Sequence, residues 1–171
     1  ATLAAGGAIQ AATMGLAEPC FGLIRPPGHH ADVNRAMGFC YFNNIAIAAR
    51  YVQLQWKIAR VGIVDFDVHH GNGTQEIFYE RSDVLYVSTH QFPFYPGTGT
   101  EAETGAGEGE GATRNFPLPA GAGHDEMIAV LEGPLADCVG SFGPDAMLVS
   151  AGFDAHEDEY CCCKSFSAGS A

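Results

Sequence analysis

The sequence predicts an α/β fold, three layers deep, in which a mainly parallel sheet lies between helices. Three observations carry that expectation. Runs at 61–65, 84–88 and 146–150 are short and mainly apolar, as buried strands are. Segments with helical spacing separate them, and strands alternating with helices call for parallel pairing. A chain of 171 residues, 47% of them hydrophobic, can bury one sizeable core.

Taken in order, the alanine-rich stretch 2–14 carries Leu3, Ile9 and Met14 and reads as a helix, loosened at Gly6 and Gly7. A short strand is expected at 21–25. Prolines, glycines and paired histidines make 25–38 a loop. Asn43 or Asn44 can cap the next helix, whose Ile45, Ala48, Ala49 and Val52 recur at helical spacing until near Gln55. The central strand is placed at 60–65, with a short helix at 74–79 after the Gly71-Asn72-Gly73 turn. The strand at 84–88 ends at Thr89 and His90, and the glycine-rich, acidic loop 92–111 is long enough to be functional. A brief strand at 115–118 follows. Met127, Val130, Leu131 and Leu135 then support a helix over 123–139, before the last strand. No linker or repeat divides residues 1–156, which read as one domain, and 157–171 reads as an irregular tail. Both ends look truncated.

Composition narrows the function. A formal net charge of −12 with only 8 Lys and Arg opposes nucleic-acid binding, which needs clustered cations, and suits a cationic substrate better. No apolar run reaches the length of a membrane span, and no basic start marks a signal peptide, so a cytoplasmic location is expected. Cys20, Cys40 and Cys138 read as reduced core residues, and the adjacent Cys161, Cys162 and Cys163 suit neither a zinc knuckle nor a disulfide framework.

The chemistry concentrates in 61–75, VGIVDFDVHHGNGTQ. If the strand continued, Asp65, Asp67 and His69 would share one side, which aims carboxylates and an imidazole at one point as a divalent metal requires. Acidic residues after a strand are often only turn formers or caps. Here, however, His29 and His30 follow Arg25-Pro26-Pro27-Gly28, and Asp154 follows another apolar run. Three strand ends of this kind point to a metal centre at the carboxyl edge of the sheet.

The segments RPPGHH, GFCYFNN, DFDVHHGNGTQ, YPGTG and SAGFD occur in one order. Together they closely resemble the zinc-dependent histone deacetylases, including bacterial members and the acetylpolyamine amidohydrolases, over about residues 3–156. The resemblance implies the arginase-like deacetylase fold. It places Asp67, His69 and Asp154 on the zinc ligands and His29 and His30 on the tandem histidines that move protons. Asp65 and Asn72 fall on the partners that orient His29 and His30. Gly38, Phe39 and Tyr95 match residues lining the acyl-lysine channel, Gly38 through its carbonyl. A potassium ion is implied beneath the zinc, at Asp65, Asp67, His69, Ser88 and Thr89, mostly through backbone oxygens. His70 reads as structural, His90 as the close of a strand, His124 as a helix start, and Phe92 and Phe94 as loop anchors.

The resemblance implies hydrolysis of the acetyl amide of a lysine side chain or a polyamine, and it is compatible with a homo-oligomer. It departs from the family in one respect: no GGY segment supplies the tyrosine hydroxyl that helps polarise the carbonyl, and Tyr160 stands in the wrong context. The alternative is a catalytically inactive deacetylase-like fragment that retains metal or ligand binding. A two-metal ureohydrolase is a weaker third reading, because it needs more aspartates than this cluster supplies.

Overall fold

The computed structural model describes residues 1–156. Its elements run α1 (Thr2–Gly15), α2 (Asn44–Trp56), β1 (Val61–Asp65), α3 (Asn72–Phe78), β2 (Val84–Gln91), β3 (Thr113–Leu118), α4 (His124–Val130), a π turn (Leu131–Leu135), α5 (Ala136–Phe142) and β4 (Ala146–Ser150). The sheet order is β3-β2-β1-β4, and every pairing is parallel. Strand alternation divides the core between two faces. Val61, Ile63, Val84 and Tyr86 pack beneath α1, α2 and α3, with Ala12, Ala49, Val52 and Phe78 among them. Val64, Leu85 and Val87 point the other way and meet Leu135, with Val130, Val139 and Phe142 packed against them. The expected three layers are thereby formed.

Local signals explain most boundaries. Asn43 caps α2 by accepting from the Ala46 N–H at 3.1 Å, and Lys57 ends it in the left-handed conformation. β2 is buried along its whole length, as a central strand with helices on both faces must be. Pro117, which has no N–H to give a ladder, sits in β3 at the sheet edge.

Four expectations need correction. Helix α1 runs unbroken through Gly6 and Gly7, because Gly7 lies where a Cβ would meet the Ile24 side chain at 2.8 Å; close packing against the 16–24 segment favours the small residue there. The segment 21–25 is not a strand: it pairs with nothing in the sheet, and Leu23 is 90% exposed. Cys20 is exposed rather than in the core, while Cys40 is buried and Cys138 half-buried, all three as free thiols. The helix expected over 123–139 is kinked, since Gly133 leaves helical geometry and Pro134 cannot donate to the preceding turn. The expectations for 157–171, including Tyr160 and Cys161 to Cys163, lie outside the described residues. No helix among the described residues is long and apolar enough to cross a membrane.

Candidate metal centre and its histidine pair

The site forms at the carboxyl ends of β1 and β4. Parallel register sets Asp65 opposite both Ser88 of β2 and Ser150 of β4, so the segments leaving β1 and β4 emerge side by side. β1 itself ends at Asp65, which corrects the expectation that strand alternation aims Asp67 and His69. They converge through a bent segment instead. The Asp67 N–H donates to Asp65 Oδ1 at 3.2 Å, and the His69 N–H donates to Asp67 Oδ1 at 2.8 Å. Asp154 is drawn in by the Val68 N–H at 3.2 Å. His69 Nδ1 then lies 3.0 Å from Asp67 Oδ1 and 2.9 Å from Asp154 Oδ2.

One donor atom from each of Asp67, His69 and Asp154 lies within 4.8 Å of the other two. One imidazole nitrogen and two carboxylate oxygens fit a divalent metal and leave a coordination position open, as catalytic zinc sites do. The electrostatics agree. Burial works against charge on His69, yet its bonds to Asp154 and Asp67 hold the imidazole up at about 10. Burial also resists ionisation of Asp67, but the hydrogen bond from His69 and the His29 charge keep its carboxyl below the usual range. The cluster therefore favours positive charge at its centre.

The histidine pair stands beside it. The His29–His30 turn is fastened from two sides: the Thr74 N–H donates to the His29 carbonyl at 3.1 Å, and Asn43 Nδ2 donates to the Ala31 carbonyl at 2.9 Å. His29 Nδ1 donates to Asp65 Oδ2 at 2.9 Å, and its Nε2 faces Asp67 Oδ2 at 3.8 Å. Burial opposes protonation of His29, but the charge and hydrogen bond of Asp65 outweigh it and raise the imidazole to about 9. His30 Nδ1 donates to Asn72 Oδ1 at 2.8 Å, which leaves its Nε2 with a lone pair. Burial and the neighbouring His29 charge lower His30 to about 4. Two adjacent imidazoles, with ring centroids 4.1 Å apart, are thus shifted in opposite directions, His30 downward by burial and the His29 charge and His29 upward by the Asp65 carboxylate.

The walls are aromatic. Tyr95 meets His30 edge-on at 5.2 Å between centroids. Phe94 stacks on His69 at 5.1 Å, a contact with the metal cluster that the sequence offered only as a loop anchor. Phe39 is 90% exposed with φ of 61°. Gly38 beside it has φ of 55°, and a Cβ there would run into the His30 ring. Tyr86, also missed, is fully buried beneath the site and donates its hydroxyl to Asp65 Oδ2 at 3.3 Å. Its partner lies 21 residues away in sequence, so no local signal could show the contact.

The remaining residues fall as follows. Ser88 and Thr89 are fully buried at the end of β2. His70 is enclosed between Thr98 and Gln75, consistent with a structural role, and burial with the nearby His90 depresses it to about 3. His90 lies at the close of β2, one residue before its last, bonded to Ser88 and to the Gly99 carbonyl. His124 begins α4 as expected.

The family sequence model described as "Histone deacetylase domain" matches residues 1–167. The chain belongs to the histone deacetylase family. Within it, the chain is 48% identical over 149 residues to "Histone deacetylase 10, chloroplastic" of Oryza sativa subsp. japonica, covering 86% of this chain and 34% of that protein. It is 49% identical over 159 residues to a "Probable deacetylase" of Archaeoglobus fulgidus, covering 91% of this chain and 44% of that protein. The crystal structure of acetylpolyamine aminohydrolase from Burkholderia pseudomallei superposes with a TM-score of 0.88 at 43% identity, over 96% of this chain and 48% of that one. This deacetylase-family chain therefore spans less than half the length of each of these relatives. Because they include chloroplast and archaeal proteins, membership of the family does not fix a compartment.

Proposed function

We propose that this chain carries the metal-binding and proton-transfer half of a zinc-dependent deacetylase that hydrolyses the acetyl amide of a lysine side chain or a polyamine. The observation that carries the reading is the joint placement of the Asp67, His69 and Asp154 cluster and a histidine pair bonded to Asp65 and Asn72. Zinc held by those three residues would polarise the amide carbonyl and acidify a water beside it. His30, whose Nδ1 is committed to the Asn72 side chain, is placed to accept that water's proton on Nε2. His29, bonded through Nδ1 to Asp65, sits alongside to share the proton transfer to the departing amine. Phe94 and Tyr95 give the site an apolar side suited to an aliphatic stem ending in a neutral amide, and we assign Phe39 and the Gly38 carbonyl to the channel mouth. The potassium site is assigned to Asp65, Asp67, His69, Ser88 and Thr89, where the strand ends converge.

A net charge of −12 suits the cationic amine products and supports neither nucleic-acid binding nor docking to an anionic membrane. Free thiols at Cys20, Cys40 and Cys138 support a reducing, cytoplasmic setting, and a homo-oligomer is compatible with the family. We take residues 1–156 as a partial catalytic domain and 157–171 as its tail.

The test is metal content of the purified chain beside hydrolysis of a fluorogenic acetyl-lysine substrate, with Asp154→Ala as control. The expected result is about one zinc per chain and turnover that the variant loses. Zinc without turnover would overturn the catalytic reading in favour of an inactive fragment that keeps its metal site. Neither zinc nor turnover would overturn both.

A further inference from the structure

The loop that supplies Phe94 and Tyr95 is tied to the scaffold by a directional chain of hydrogen bonds that begins at Glu103. Its Oε1 accepts from the Gly99 N–H at 3.0 Å, the Thr100 N–H at 2.9 Å and the Thr100 hydroxyl at 3.1 Å. Its Oε2 accepts from Gln75 Nε2 at 2.6 Å. Burial opposes the Glu103 charge, but the Thr100 N–H and the Gln75 amide hold the carboxyl below the usual range, so it is an anion that can only accept.

That one-way chemistry propagates. Gln75 must turn its NH2 toward Glu103, so its Oε1 faces inward and accepts from Asn115 Nδ2 at 2.8 Å and from His70 Nε2 at 3.0 Å. His70 therefore carries its proton on Nε2, and its Nδ1 accepts from the Thr98 hydroxyl at 2.8 Å. His90 repeats the pattern: Nε2 donates to the Gly99 carbonyl at 2.9 Å while Nδ1 accepts from Ser88. Thr98, Gly99 and Thr100, next along the loop from Tyr95, are thus held at both hydroxyls and along the backbone. Asn115 shows the strength of the arrangement. Its Nδ2 also donates to the Glu103 carbonyl at 3.2 Å, and its buried Oδ1 is left with no partner. Turning that amide over would set two oxygens against each other, so the chain tolerates one unpaired acceptor to keep its direction.

We infer that Glu103 is a positioning residue for the aromatic wall of the site, acting through Gln75 and His70 to fix the loop that bears Phe94 and Tyr95. As a role in turnover this rests on the deacetylase reading above; as a relay it does not. Glu103→Gln would present an NH2 either to the Gln75 NH2 or to the loop N–H groups. Gln75→Glu would set a second carboxylate against Glu103. The exchange of both, Gln75→Glu with Glu103→Gln, restores complementarity at every contact. The amide now at position 103 gives its NH2 to the carboxylate now at position 75 and keeps its oxygen on Gly99 and Thr100. That carboxylate in turn accepts from His70 and Asn115.

The three variants test this by ring ¹⁵N NMR of His70, by the ring resonances of Phe94 and Tyr95, by thermal melting, and by kinetics on an acetyl-lysine peptide. Each single variant is expected to disturb the His70 Nε2–H signal, shift the Phe94 and Tyr95 resonances and lower Tm by about 4 °C or more. In Glu103→Gln, KM is expected to rise about tenfold while kcat changes less. The double variant should return all of these toward the parent. An undisturbed His70 signal in Glu103→Gln, still wall resonances, or a double variant no better than the worse single one would overturn the inference. If relay and wall respond as expected while the parent chain hydrolyses nothing, the positioning of the wall stands and the deacetylase reading fails.

Discussion

Replacing Asp65 by Asn tests the electrostatic logic of the histidine pair. The Asp65 carboxylate is fully buried and takes bonds from His29 Nδ1, the Tyr86 hydroxyl and the Asp67 N–H. The isosteric amide keeps one acceptor oxygen and loses the charge. In the metal-free protein, the rise of His29 from 6.5 to about 9 corresponds to roughly 3 kcal/mol of stability. Because the folded-state value is raised, this stability is fully present below pH 6.5 and is lost as the pH climbs through about 9. His30 and His70, both depressed by burial, are neutral in folded and unfolded states above pH 6.5 and drop out of that window. Urea unfolding of the parent and Asp65→Asn proteins, with chelator present, should show a gap of roughly 4 kcal/mol near pH 6. That gap should narrow by about 3 kcal/mol toward pH 9. The remainder at high pH, about 1 kcal/mol, reflects the donor that the amide cannot accept. A gap that stays constant from pH 6 to 9 would refute the claim that Asp65 acts by holding His29 charged.

Two further outcomes follow from local geometry. Gly38→Ala places a side chain against the His30 ring at a left-handed backbone position. It should cost at least ~1 kcal/mol in urea unfolding and displace the His30 ring signals by NMR, whereas unchanged signals would exclude the contact. Asn43→Ala removes the α2 cap and both bonds that Asn43 makes to Ala31 and Thr74. A loss of about 2–3 kcal/mol is expected, and Asn43→Asp should recover only the cap's share; a loss below about 0.5 kcal/mol would show that the His29–His30 turn is fastened elsewhere.

Much of this protein could be read along the chain. Apolar runs at the observed β1, β2 and β4, the Asn43 cap and the helical spacing of α2 depend on neighbours a few residues apart, and such signals survive in sequence alone. The tandem histidines and the acidic cluster were visible as residue types suited to a metal and to protons. Local pattern therefore sufficed for the layers and for the histidines and carboxylates of the candidate site, while the remaining site residues came from the family resemblance. Tertiary structure decided how that inventory meets. The small residue at Gly7 answers to Ile24, and 21–25 lies outside the sheet, whose order is β3-β2-β1-β4. Asp67 and His69 converge by bends that hydrogen bonds to carboxylates impose, not by strand alternation. Tyr86 beneath Asp65, Phe94 on His69 and the chain from Glu103 to His70 join residues brought together by sheet register and loop closure. Period and turn chemistry record what each segment prefers, but the distance between two segments is a property of the assembled sheet.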